Sequence, residues 1–156
     1  MEIAFRLSLP LEAASVPMVR RLCRCSFRTL GVEEECVADL ELAVTEACTN
    51  VLKHAAGTDN TYEVEVRTDE RTCDLRIKDK GSGFTPHVAE AGAARPQPVA
   101  EGGRGIQLMR ELVDRLQFVS HELSGTVVHL EKSIRLTRDP PVAAARGRGS
   151  SPPYTG

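Results

Sequence analysis

The sequence predicts an α+β (α/β) two-layer sandwich: a mixed, mostly antiparallel sheet with helices packed on one face. Three observations lead there. Segments that alternate apolar and polar residues occur near the start, in the middle and toward the end of the chain. Two amphipathic helical stretches follow the first of these segments, and a third precedes the last pair. The resulting order, β-α-α-β-β-loop-α-β-β, is that of a mostly antiparallel sheet with its helices to one side. At 156 residues the chain is expected to form one domain with a real core.

The first strand is read from Glu2 to Leu9, with Ile3, Phe5, Leu7 and Leu9 on one face and Pro10 as its stop. Ser15 is read as the N-cap of the first helix, with Pro17 in its first turn and Gly31 at C′. Val19, Leu22, Cys23, Ser26, Phe27 and Leu30 are the expected inner face. A second helix should run from about Glu33 to about Ala55, because Val37, Leu40, Val44, Ala47 and Val51 recur at three- and four-residue steps. Glu46 and Asn50 are four residues apart and lie one above the other. At about 100° per residue they fall well away from the centre of the apolar stripe. The helix therefore packs by one side and shows a carboxylate and an amide from another.

Gly57 to Asn60 reads as a loop. Tyr62–Thr68 and Cys73–Asp79 alternate on either side of the hairpin turn Asp69-Glu70-Arg71-Thr72. From Thr85 to Glu101 the pattern dissolves into Ala, Gly and Pro, and a loop of that length more often marks a lid or binding loop than a plain connector. Helical periodicity returns from Gly105 to Leu116 through Ile106, Met109, Leu112, Val113 and Leu116. Phe118–His121 and Thr126–Lys132 read as a closing hairpin around Ser124-Gly125. Beyond Leu136 the chain turns to Pro, Ala, Arg, Gly and Ser, which cannot bury much surface. The expected organisation is a folded domain over 1–136 and a disordered tail over 137–156.

Composition narrows the function. A net charge of -2 gives no case for bulk binding to nucleic acid or an anionic membrane. With no tryptophan and few aromatics, base stacking on exposed rings has little to work with. No apolar run approaches the roughly 20 residues of a membrane span, and the N-terminus lacks a leader's charged start and apolar run. A cytoplasmic protein with no direct nucleic-acid or membrane partner is expected. The five cysteines, an odd number, argue against a disulfide framework, and Cys23-Arg24-Cys25 lacks the second close pair of a zinc site. They are read as buried thiols.

The common phosphate devices are missing. There is no G-x-x-x-x-G-K-[ST] loop, no G-x-G-x-x-G after an early strand, and no H-R-D or D-F-G. Three other segments carry the chemistry instead. Glu46-Ala47-Cys48-Thr49-Asn50 sits in the second helix, Asp79-Lys80-Gly81-Ser82-Gly83-Phe84 ends a strand, and Gly102-Gly103-Arg104-Gly105 opens the third helix. Together they supply a carboxylate beside an amide, an acceptor at a glycine turn and a glycine hinge at a helix start. Those are the parts needed to hold magnesium, a purine and a polyphosphate.

In this order the segments resemble the N, G1 and G2 boxes of the GHKL ATPases, the superfamily of Hsp90, DNA gyrase B, MutL and the histidine kinases. Within it, the sequence is similar to the small bacterial anti-sigma factor serine/threonine kinases. Their helix motif L-A-V-x-E-A-x-x-N-x-x-x-H reads here Leu42-Ala43-Val44-Thr45-Glu46-Ala47, then Asn50 and His54. D-x-G-x-G-F reads Asp79, Gly81, Gly83 and Phe84. G-x-G reads Gly103 and Gly105, and the helix after it ends Leu112-Val113-Asp114-Arg115-Leu116. A late Gly125-Thr126 precedes the last strand. The resemblance spans roughly Phe5 to Leu136 and implies a Bergerat-type ATP-binding fold.

It also implies roles. Asn50 offers a neutral amide oxygen to Mg2+, where the bland reading is a solvated helix residue. Glu46 is the general base toward a protein hydroxyl, where the bland reading is a surface glutamate. Asp79 accepts the adenine amine of ATP, although Asp before Gly is also ordinary turn chemistry. Gly81 and Gly83 let the backbone approach the purine, and Thr126 supports Asp79. Gly103 and Gly105 open a helix whose free N–H groups receive phosphate. Arg104 and Lys53 add charge nearby, and His54 orients the site.

The implied function is an anti-sigma factor kinase, usually a homodimer, that phosphorylates a STAS-domain anti-anti-sigma protein and sequesters a sigma factor. The alternative is an ATP-binding regulatory module that holds a sigma factor or another regulator without phosphotransfer. A histidine-kinase fragment is disfavoured by the short lid and the L-A-V-x-E-A start, and a complete sensor kinase by the lack of a helical hairpin with a phosphoacceptor histidine.

Overall fold

The computed structural model describes residues 1–54, 60–79, 104–121 and 125–137. Strands β1 (Ile3–Pro10), β2 (Thr61–Thr68), β3 (Thr72–Asp79), β4 (Arg115–His121) and β5 (Gly125–Ser133) form one sheet in the order β1-β2-β3-β5-β4. Every pairing in that sheet is antiparallel. Helices α1 (Ser15–Leu30), α2 (Glu34–His54) and α3 (Arg104–Leu112) supply the second layer. The expected two-layer α+β sandwich is the architecture observed.

The period-two pattern of the central strands explains the core. Tyr62, Val64 and Val66 of β2, Cys73, Leu75 and Ile77 of β3, and Val128 and Leu130 of β5 are buried in a single cluster. Val19, Cys23 and Phe27 of α1, Val37, Leu40, Val44 and Ala47 of α2, and Met109 of α3 are among the helix residues packed into it. Among the described residues no helix is long and apolar enough to cross a membrane.

Local chemistry sets the element ends. Gly31 closes α1 in the left-handed region (φ 81), where a side chain would be strained. Its N–H reaches Arg28 O and that of Val32 reaches Phe27 O, both at 3.0 Å. Asp69 Oδ1 accepts the N–H groups of Arg71 and Thr72 at 2.7 Å, which folds the hairpin between β2 and β3 as expected. An isolated bridge between Val32 and Leu136 ties the chain after β5 back to the end of α1.

Four expectations are corrected. Ser15 is not the N-cap: Ala14 stands there in helical conformation without a side-chain cap. Ser15 is instead buried, donating to Glu12 O and meeting the Tyr62 hydroxyl, each at 2.7 Å. Leu22 is 41% exposed rather than on the inner face, because it lies about 100° round the helix from the buried stripe. Cys25 is exposed, while the other four thiols are buried.

The third helix ends at Leu112, not Leu116. Lys132 Nζ donates to the Leu112 carbonyl at 2.7 Å, and Asp114 N–H donates to Glu131 O at 2.9 Å. Strand pairing thus captures residues whose spacing still reads as helix, and Leu116 pairs with Leu130.

The outer face of the sheet is a lattice of charge. Glu65 on β2, only 7% exposed, meets Arg6 at 3.5 Å, Arg67 at 3.3 Å and Lys78 at 3.2 Å. Burial alone would raise its pKa, but the Lys78 hydrogen bond and the surrounding cations outweigh that and lower it. A lowered folded-state pKa contributes stability above the ordinary carboxylate range, and that contribution disappears as pH falls through the folded value. Asp69 and Asp114, held down by backbone N–H groups, act in the same direction. Urea denaturation should therefore show stability falling with acid below about pH 4.3, with a shallower slope in Glu65→Gln.

Candidate functional site

The site is built along α2, which packs against both α3 and β3. The stripe Val37, Leu40, Val44, Ala47 and Val51 is buried against the sheet, and this rotates Glu46 and Asn50 to the margin of α2, where both are half-buried. One turn of helix separates them. Lys53 on the last turn is exposed, and His54 is the final residue of α2.

The third helix brings its N-terminus against this margin. Its first four N–H groups have no acceptor within the helix, so that end carries partial positive charge. Gly105 is its second residue, and a β-carbon there would lie 2.5 Å from Glu46 Oε2 and 3.6 Å from its Cδ. The Glu46 carboxylate thus occupies the space a side chain at position 105 would need. Glycine is required here for close approach rather than for an unusual φ. Arg104 opens the helix and is exposed.

Asp79 ends β3 on the inner face and is 6% exposed. It faces Tyr62 directly across the β2–β3 ladder. Thr126 of β5 precedes Val127, whose partner is Lys78, so its backbone lies next to that of Asp79. Gly81, Gly83 and Gly103 lie outside the described residues, as do Lys80, Ser82, Phe84 and the Thr85–Glu101 loop. Of the residues singled out from sequence, the described structure brings Glu46 and Gly105 into contact and sets Asn50 one turn along α2.

One buried polar group was missed from sequence. The Tyr62 hydroxyl, fully buried between β2 and the two long helices, meets Ser15 Oγ and hydrogen-bonds with the thiol of Cys48, a buried residue between Glu46 and Asn50. Burial pushes the phenol up to about 12 and the Cys48 thiol up to about 12, so both stay neutral. This network pins the inner side of α2 directly behind its half-buried carboxylate and amide. A tyrosine in a run of alternating strand residues was its only sequence signal. Ser15→Ala should cost about 1–3 kcal/mol of stability in denaturant unfolding, because it leaves a buried hydroxyl poorly satisfied.

Comparison with known proteins agrees with this arrangement. Residues 9–132 match the family model for the histidine kinase-like ATPase domain. The chain is 32% identical over 137 residues to the serine-protein kinase RsbW of Bacillus licheniformis, covering 83% of this chain and 84% of that one. It is 28% identical over 134 residues to the serine-protein kinase RsbW of Bacillus subtilis, covering 81% and 82%. The fold also resembles a solved Mycobacterium tuberculosis protein containing RsbU and RsbW domains, with a TM-score of 0.62 at 17% identity. That match covers 86% of this chain and 34% of the longer mycobacterial one.

Proposed function

Since the chain belongs to the histidine kinase-like ATPase family, among serine-protein kinases of the RsbW kind, we propose that it is an anti-sigma factor kinase. It transfers phosphate from ATP to a serine or threonine of a STAS-domain anti-anti-sigma protein. While that antagonist is phosphorylated, the kinase holds an RNA polymerase sigma factor. The observation that carries this reading is the Glu46 carboxylate lying against Gly105 at the start of α3. A base and a phosphate cradle are thereby adjacent.

The residues suit the nucleotide. Position 105 has no β-carbon, which lets the Glu46 carboxylate lie against the first turn of α3, whose N–H groups lack acceptors within the helix and suit phosphate oxygens. Asn50 is the residue to hold Mg2+ through its amide oxygen, and the metal when bound would neutralise phosphate charge. Glu46 takes the proton of the attacking hydroxyl as that oxygen bonds to the γ-phosphorus and the bond to the leaving ADP oxygen breaks. Asp79 accepts the adenine amine, with Thr126 in support and Gly81 and Gly83 shaping the purine turn. Gly103 completes the phosphate hinge, Arg104 and Lys53 add positive charge, and His54 orients the end of α2. The kinase domain is residues 1–136 with a tail over 137–156. On this reading the protein works in the cytoplasm as a homodimer and touches neither nucleic acid nor membrane directly.

The test is transfer of γ-labelled phosphate, in the presence of Mg2+, to a panel of STAS-domain proteins from the same host. Label on one member identifies kinase and substrate together. ATP binding without label on any member would instead favour a nucleotide-gated binding module. Asn50→Ala should weaken ATP binding about tenfold in Mg2+ but much less in EDTA, since it removes one metal ligand; equal affinities under the two conditions would remove Asn50 from the metal role.

A further inference from the structure

The face of the sheet opposite the helices holds a second cluster that the kinase chemistry does not use. Asp74 on β3 and Glu131 on β5 are direct partners in the ladder, and His129 stands two residues from Glu131 on the same strand. Side chains at such positions share one face, with directly opposed β-carbons about 5 Å apart. The imidazole nitrogen and the two carboxylate oxygens lie within 4.8 Å of one another. Among the described residues this is the one group of three such ligands.

We propose that Asp74, His129 and Glu131 form a three-ligand site for a zinc-class dication, with water completing the coordination. The donor set selects the metal class. One imidazole with two carboxylates is too nitrogen-rich for the all-oxygen shells of Ca2+ or Mg2+, and it lacks the thiolate that favours softer ions. It suits Zn2+ or Co2+.

The environment permits closure. His129 Nε2 contacts Asp74 Oδ2, so a bound ion would replace that direct contact and bridge the two side chains. Arg76 sits on the other Asp74 oxygen, Oδ1, at 3.2 Å, so Oδ2, now on His129, is the oxygen that would turn to the metal. Ligands on a tetrahedral ion at about 2.1 Å stand about 3.4 Å from one another. His129 and Asp74 must therefore part slightly to admit an ion, and Glu131, whose side chain is 41% exposed and meets Arg115 at 3.9 Å, must close in. His129 and Asp74 are less exposed, at 17% and 25%. A bound ion would staple the two central strands and stiffen β3, the strand that ends in Asp79.

The test uses the full chain after EDTA dialysis, free of nucleotide and Mg2+, titrated with Co2+ in visible absorption and with Zn2+ by calorimetry. The expected result is one equivalent bound, with cobalt d–d bands and no thiolate charge-transfer band. The affinity should fall about tenfold or more in both His129→Ala and Glu131→Gln, and stay unchanged in Asn50→Ala. Zn2+ should raise the thermal midpoint of the parent chain but of neither ligand variant; circular dichroism establishes that both variants fold. Absence of binding, a thiolate band, or unchanged affinity in the folded Glu131→Gln variant would overturn the site. Failure here leaves the kinase reading untouched, because the two use opposite faces of the sheet.

Discussion

Glu46→Gln is expected to lower phosphotransfer by about 10²–10⁴-fold while leaving ATP affinity within a few-fold of the parent. The change preserves size and keeps a hydrogen-bonding group beside Gly105, but glutamine cannot take the proton of the attacking hydroxyl. Asn50, Asp79 and the α3 N-terminus, the groups assigned to metal, adenine and phosphate, are left in place. The carboxylate also gains a modest interaction with the positive end of α3, about 0.3–1 kcal/mol for a charge at a helix N-terminus, so the effect on stability should be small. Single-turnover transfer and equilibrium nucleotide binding, measured on the same preparation, separate the two quantities. A variant that transfers at the parental rate would remove Glu46 from the base role.

Gly105→Ala should reduce transfer by about 100-fold with far less effect on folding. A β-carbon at this position would come within 2.5 Å of Glu46 Oε2, which no real contact tolerates. The obstacle is the end of a flexible side chain, so the carboxylate rotates away and the helices stay packed. Displacing a catalytic group by about 1 Å is enough for a loss of this order. Alanine is also the better helix former, by about 1 kcal/mol, which offsets the steric cost in stability. A double-mutant cycle gives the decisive readout. If Gly105→Ala acts by moving Glu46, it will cost little further transfer when Glu46 is already glutamine. Full additivity would mean that the methyl group acts on phosphate binding instead, and the nucleotide affinity would then fall in parallel.

The candidate site was largely legible as a string. Glu46 and Asn50 are spaced by one helical turn, Asp79 ends an alternating run just before two glycines, and Gly105 stands at the first turn of a helix. These are local relations, set by backbone periods of 3.6 and 2.0 residues, and they need no knowledge of the rest of the chain. The element order and the apolar stripe of α2 were readable for the same reason. So was the hairpin at Asp69, whose side chain bonds its own neighbours.

What the string did not contain was every relation between distant segments. Ser15 carries the chemistry of an N-cap, yet a tyrosine 47 residues away recruits it into the core. The periodicity of α3 runs on to Leu116, but pairing of β4 with β5 outcompetes the last helical turn. Nothing local indicates that β5 inserts between β3 and β4, which is the step that sets His129 and Glu131 beside Asp74. Nor does either motif reveal that the carboxylate of one lies in the place of the missing β-carbon of the other. Periodicity and turn chemistry specify elements because their energies are local; partners across the fold are chosen by competition for buried surface and hydrogen bonds among elements far apart in the chain.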